Sequence, residues 1–155
     1  MSAVFRYETG VWREWIDYNG HMRDAYYGLV FSYAVDAFQD EVGLDAAYRK
    51  RTGCTVYLVE DHCFYLAEVK EGDLLVVETR VIGSDARRFH LHLTMLADGI
   101  LRAVCEFMEL HVRQTPEPKA AEMPTATTAS IAAARLSQAE LAALPRRSRA
   151  MGLAR

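Results

Sequence analysis

Trp15-Ile16-Asp17-Tyr18-Asn19-Gly20-His21-Met22-Arg23-Asp24-Ala25-Tyr26-Tyr27 is the stretch from which the rest of the chain can be read. It sets a carboxylate, a carboxamide, a glycine, an imidazole and a second carboxylate within the eight positions Asp17 to Asp24, and it runs straight into an apolar segment, Tyr26 to Val42. There Tyr26, Leu29, Val30, Tyr33, Ala34, Ala37, Phe38 and Val42 recur at helical spacing. Tyr27, Phe31 and Val35 widen the stripe until the helix is apolar almost all round, which suits a helix that is wrapped rather than laid on a surface. Asp24 sits near its start, where the helix dipole favours negative charge, and Gly43 supplies the stop. The unpaired amides of a first helical turn can hold a developing negative charge. The loop is therefore a candidate reaction site, with Asp17 as base or nucleophile.

Outward from the helix the chain reads as strands. Phe5 to Thr9 alternates apolar with polar and Gly10 closes it. Asp45 to Thr52 reads as a short turn or helix stopped by Gly53. Cys54 to Leu66, Leu74 to Ile82, Phe89 to Leu96 and Ile100 to Val112 follow as strands, separated by turns that include the tight hairpin signal Asp98-Gly99. The order strand, long helix, four antiparallel strands implies an α+β domain over residues 1–114, in which a curved five-stranded antiparallel sheet wraps one helix. Such a sheet leaves two edges and a face to be covered, and pairing with a second copy through an edge strand would cover them. Past Thr115, Pro116, Pro118 and Pro124 among alanines and threonines read as a linker. Residues 115–155 are thus expected to be a Pro/Ala-rich linker and a tail, basic at Arg146-Arg147-Ser148-Arg149, with a short helix over Ser137 to Leu144 opened by a capping box of Ser137 and Glu140. A frayed tail is the default, and closure over an anionic ligand or a partner subunit is the sharper alternative.

Composition narrows the function classes. The 155 residues are 51% hydrophobic and 25% charged, with a net charge of −3 and no basic stripe in the folded part, which argues against nucleic-acid binding. No apolar run has the length of a membrane span, and the N-terminus lacks the apolar core of a signal peptide, so a cytoplasmic protein is expected. Cys54, Cys63 and Cys105 are an odd count without metal-ligand spacing; buried free thiols, and no metal, are the expectation.

The order of elements, with Asp17-x-Asn19-Gly20-His21-Met22 leading into the helix, resembles the hotdog-fold acyl-CoA thioesterases of the 4-hydroxybenzoyl-CoA thioesterase type. Asn19 and His21 are also similar to acyl carrier protein thioesterases. Taken with Val30-Phe31, Ala34-x-Asp36-Ala37, Gly43-Leu44-Asp45-Ala46-Ala47-Tyr48, Val59-Glu60-x-His62 and Glu68-Val69-Lys70-x-Gly72, the chain is similar over residues 4 to 113 to the betainyl-CoA thioesterases, a group found with carnitine-degradation enzymes and sometimes fused to L-carnitine dehydrogenase.

The resemblance implies hydrolysis of an acyl-CoA thioester to free acid and CoA, with no cofactor beyond the coenzyme A of the substrate. It also implies a homodimer with sites between subunits, and dimers that pair into tetramers. Asp17 corresponds to the family's catalytic carboxylate, attacking the thioester carbonyl or directing water onto it. Asn19 and His21 orient Asp17 or the water, or contact the carbonyl; local turn chemistry for Asn19 and a packed His21 are the plain alternatives. Gly20 allows a bend or a close approach of substrate. The backbone N–H near Asp24 is the candidate carbonyl polariser.

Glu60 and His62 alternate onto one strand face with Val56, Leu58 and Phe64, and reach the site from the partner subunit, hold an acyl-group cation, or simply pair with Arg or His; Asp61 is the competitor if the facing is reversed. Trp15, Tyr18, Tyr26, Tyr27, Phe64 and Tyr65 are the rings available to a quaternary ammonium. Arg87 and Arg88 stand where related thioesterases meet the CoA phosphates. The competing readings are a thioesterase for aromatic or short aliphatic acyl-CoA, and a non-catalytic acyl-CoA-binding protein of the same fold.

Overall fold

A computed structural model describes residues 1–153. Helix α1 (Asp24–Glu41) lies against a curved antiparallel sheet of β1 (Phe5–Gly10), β2 (Cys54–Tyr65), β3 (Leu74–Ser84), β4 (Arg88–Ala97) and β5 (Ile100–Arg113). The strands run in the order β1-β3-β4-β5-β2, so β1 and β2 form the two edges. A short helix, α2 (Ala46–Thr52), leads into β2, capped by the Asp45 carboxylate on the Tyr48 amide at 2.8 Å and ended by Gly53 in the left-handed region. At the β4–β5 hairpin Asp98 and Gly99 both take positive φ, 52° and 72°, as a tight primed turn requires.

Alternation in the strands builds the core. Leu75, Val77 and Val81 of β3, Leu91, Leu93 and Met95 of β4, and Ala103, Cys105 and Phe107 of β5 are buried with the α1 stripe Tyr27, Val30, Phe31, Ala34, Val35 and Phe38. Phe38 sits edge-on to Phe5 at 4.8 Å and against Phe89 at 5.5 Å, while Phe31 meets Phe107 at 6.5 Å. Each such side chain contributes about 1.5–3 kcal/mol by leaving water, which is what keeps a nearly all-apolar helix in the trough of the sheet.

Four expectations change. The sheet gains a sixth strand, β6 (Lys119–Ala120), which pairs with Val112 and Arg113 at the end of β5. The stretch read as linker and frayed tail instead folds back: α3 (Thr125–Ala133) buries Thr127 and Ile131, Arg135 bridges to Val81, and α4 (Gln138–Ala142) carries the capping box of Ser137 and Glu140. Alanine-rich sequence with one or two large side chains docks where proline spacing suggested none.

Cys63 and Cys105, expected as free thiols, are joined as a disulfide because they stand directly opposite in the β2–β5 register; Cys54 is free. Finally, a bulge between Leu58 and Glu60 inserts one residue into β2. One extra residue reverses which face the following side chains occupy. Cys54 and Val56 face α1 before the bulge and Cys63 after it, so Glu60, His62 and Phe64 fall on the outer face of the sheet, not with Val56.

Candidate active site

The motif loop is a closed turn. The Gly20 amide donates to the Asp17 carbonyl at 3.0 Å and the Asp17 amide to the His21 carbonyl at 2.9 Å. Gly20 completes the reversal at φ 79°, where a side chain would be strained. Asp17 Oδ1 accepts from the Asn19 amide at 2.8 Å and from the His21 amide at 3.5 Å, so its carboxylate is held by its own loop. Two further bonds fix the loop to the body: the Met22 amide donates to Val69 at 2.7 Å, and the Arg23 amide to Trp15 at 2.9 Å. The chain turns into α1 directly afterwards, and no side chain caps that helix. Among the described residues the Asp24 and Ala25 amides have no hydrogen-bond acceptor.

Asp17, His21, Met22 and Asp24 line an open groove of about 390 Å³, whose other wall is Tyr27, Tyr65, Leu66, Ala67 and Glu68. Tyr27 and Tyr65 meet edge-on at 5.2 Å, and the Tyr27 hydroxyl donates to the Ala67 carbonyl at 3.3 Å. Burial pushes both phenols up, so they stay protonated, and for Tyr65 the charges of Asp24 and Asp61 add to the effect. His21 Nε2 lies 3.0 Å from Glu68 Oε2. Glu68 stands in the β2–β3 loop; the sequence marks it only as the first residue of the segment Glu68-Val69-Lys70-x-Gly72 and not as a site residue, since its place beside His21 depends on that loop crossing the motif.

Not every candidate gathers there. Asn19 contributes its backbone to Asp17, and its side chain is exposed. Tyr26 stacks on Trp15 at 5.4 Å and lies outside the groove. Glu60 and His62 border a second groove on the outer sheet face with Asp61, His90, Glu106, Met108 and Ser148. Arg87 and Arg88 stand at the β3–β4 turn, at the other end of β4 from Met95, the residue in line with Tyr65 through Ala103. Seven residues of strand separate them, about 23 Å. Both arginines face carboxylates: Arg88 forks onto Asp85 at 2.6 and 2.9 Å, and Arg87 lies 3.7 Å from Glu122.

A carboxylate, an imidazole and two free helical amides on one groove suit attack on a carbonyl whose oxygen becomes negative. Comparison with known proteins gives the family. Residues 11–133 match the Thioesterase-like superfamily. The chain is 47% identical over 115 residues to the betainyl-CoA thioesterase of Pseudomonas aeruginosa, covering 72% of each chain. It is 46% identical over 113 residues to the L-carnitine dehydrogenase/betainyl-CoA thioesterase of Agrobacterium fabrum, covering 72% of this chain and 23% of that longer one. A Staphylococcus aureus protein solved in complex with CoA superposes with a TM-score of 0.80 at 28% identity over 96% of this chain and 98% of its own, a span that takes in most of the C-terminal segment. No helix among the described residues is long and apolar enough to cross a membrane. In fold and in sequence, the chain belongs to the thioesterase-like superfamily, as a hotdog-fold acyl-CoA thioesterase.

Proposed function

We propose that the chain hydrolyses betainyl-CoA to glycine betaine and CoA, with Asp17 as the catalytic carboxylate. The observation that carries the substrate is the 47% identity to a betainyl-CoA thioesterase over most of both chains. Asp17 takes a proton from a water that attacks the thioester carbonyl, or itself attacks that carbon to form an anhydride that water then opens, releasing the acid. The oxygen that becomes negative is held by the Asp24 and Ala25 amides, and the CoA thiolate leaves and takes up a proton. His21, positioned by Glu68, orients the water or the carbonyl, and Gly20 leaves room for the thioester. Tyr27 and Tyr65 present aromatic surface to the trimethylammonium, a contact worth up to about 2 kcal/mol per ring when dry. The reaction needs no cofactor beyond the coenzyme A of the substrate.

The working unit is a homodimer with its grooves at the interface, a unit that can pair again into a tetramer. Edge strand β2 supports this: it leaves one row of backbone groups unpaired and exposes Tyr57, Leu58 and Val59. In such a dimer Glu60 and His62 belong to the partner's surroundings rather than to their own groove. The reading places the enzyme in the cytoplasm, where CoA esters are made and consumed.

The test is release of free thiol from betainyl-CoA, beside 3,3-dimethylbutyryl-CoA, its uncharged isostere. Preference for the cation is expected. Equal rates would remove the betainyl assignment and favour the second reading, an aromatic or short aliphatic acyl group, which the same two rings would also accept. No turnover of any acyl-CoA would leave a binding protein.

A further inference from the structure

The C-terminal arginines are not a loose tail. Glu106 of β5, only 3% exposed on the outer sheet face, takes hydrogen bonds from Arg147 Nε at 2.6 Å, the Ser148 amide at 2.8 Å and the Ser148 hydroxyl at 2.9 Å, with His90 Nε2 at 2.8 Å. His92, fully buried, donates from Nε2 to the Arg146 carbonyl at 2.7 Å. The backbone of 146–148 is thus pinned at several points by groups inside the fold. Charge-assisted bonds of this kind are about twice as strong as neutral ones.

The pinning fixes where the two flanking guanidinium groups go. Arg146 and Arg149 lie over the same ring, Phe64, at 5.9 and 5.8 Å. Among the described residues neither has a carboxylate within ion-pair distance, and Arg149 reaches only the neighbouring Ala150 carbonyl. Two cations gathered around one aromatic ring, without a carboxylate partner among the described residues, leave a local excess of positive charge. A doubly charged anion offsets that excess and suits the forked donors of guanidinium groups. Phe64 precedes Tyr65 and Leu66, the end of β2 that borders the active groove, and its ring is on the opposite face of the strand. Glu60 and Asp61 line the groove that also takes in Glu106 and Ser148. Arg87 and Arg88, the sequence-based choice for a phosphate site, already have Asp85 and Glu122 as partners.

We propose that Arg146 and Arg149, held across Phe64 by the Glu106-anchored strap, form the site for the phosphate-bearing end of coenzyme A, with the pantetheine arm passing the end of β2 into the Asp17 groove. This rests on the acyl-CoA reading of that groove, but not on the identity of the acyl group.

The experiment measures binding of CoA, dephospho-CoA and pantetheine to the full chain by calorimetry, for wild type, R146Q/R149Q and R87Q/R88Q, each checked by thermal melting. For R146Q/R149Q the CoA Kd is expected to rise about tenfold to a hundredfold, one to two charge-assisted bonds, while pantetheine affinity stays put. Salt should weaken CoA binding to wild type more than to the variant. R146K/R149K should recover part of the loss, and R87Q/R88Q should match wild type. Dephospho-CoA tells whether the lone 3′-phosphate or the diphosphate is held. Unchanged CoA affinity in a folded R146Q/R149Q, an equal loss for pantetheine, or a loss in R87Q/R88Q instead would overturn the proposal. Wild-type protein that binds neither CoA nor pantetheine would refute the groove itself as a CoA-ester site.

Discussion

Asp17 and Glu106 are both carboxylates fixed by hydrogen bonds, on opposite faces of the same sheet, and they differ in how much of their capacity is used. Asp17 sits in an exposed loop, accepts from two amides of its own turn, and opens on a groove. Glu106 is sunk in a strand and holds side chains and backbone from β4 and the C-terminal strap. Burial pushes the Glu106 carboxyl up, but the bonds from His90, Ser148 and Arg147 outweigh it and hold the group well below the usual carboxylate range. A saturated carboxylate fastens structure; one with a free lone pair beside unpaired amides is available for chemistry. Glu109 is the third case. It faces α1 with 3% exposure and no hydrogen-bond or ion-pair partner among the described residues; burial, helped by the charge of Asp36, pushes it up to about 8.

The comparison can be broken at each carboxylate. Asp17→Asn should lower kcat by about a thousandfold or more, roughly 4 kcal/mol of barrier, with melting unchanged; single-turnover thiol release measures it, and a drop under tenfold would make Asp17 another fastening group.

Glu109 sharpens the contrast through pH. Its folded value lies above the ordinary one, so the folded state keeps a proton that the unfolded chain gives up. The stabilisation is complete below the ordinary carboxylate value and is lost as pH rises through about 8. Denaturant melts should show stability falling between about pH 5 and 8, by up to a few kcal/mol, and Glu109→Gln should flatten that slope.

Glu106→Gln should leave chemistry nearly intact yet cost about 1–3 kcal/mol of stability, because His90 and Arg147 lose their charged acceptor; it should also weaken CoA binding by loosening the strap. The smallest effect belongs to Glu68→Gln. Its pairing with His21 is exposed and worth under about 1 kcal/mol, so kcat should fall by about threefold, read from the pH–rate profile of the variant against wild type.

Most of the fold was legible because its signals are local. The α1 stripe, the alternation in β3 and β4, the Asp98-Gly99 turn and the Ser137 capping box are each written within a few residues. The outer-face position of Glu60 and His62 was not, because alternation assumes an unbroken strand and the bulge at Leu58/Glu60 leaves no clear mark in Tyr57-Leu58-Val59. The Cys63–Cys105 pair depended on a register between strands far apart in sequence. Docking of α3 turned on Ile131, one large side chain in an alanine run, finding space beside β3. Of the groove, Asp17, His21, Met22 and Asp24 lie in one motif, whereas Glu68 and the Tyr65 wall arrive from a loop and a strand edge that only the tertiary structure brings across.

The capping box that opens α4 has a second tenant. The Ser2 amide donates to Glu140 Oε1 at 2.9 Å and the Ser2 hydroxyl to Oε2 at 2.8 Å, so the beginning of the chain is stitched to the helix that launches the strap. An affinity tag or fusion partner joined ahead of Ser2 would tug on that stitch, and, with CoA held at the proposed site, a protein prepared that way is expected to bind CoA more weakly than the untagged chain. A tag at the other end of the chain leaves the stitch at Ser2 closed.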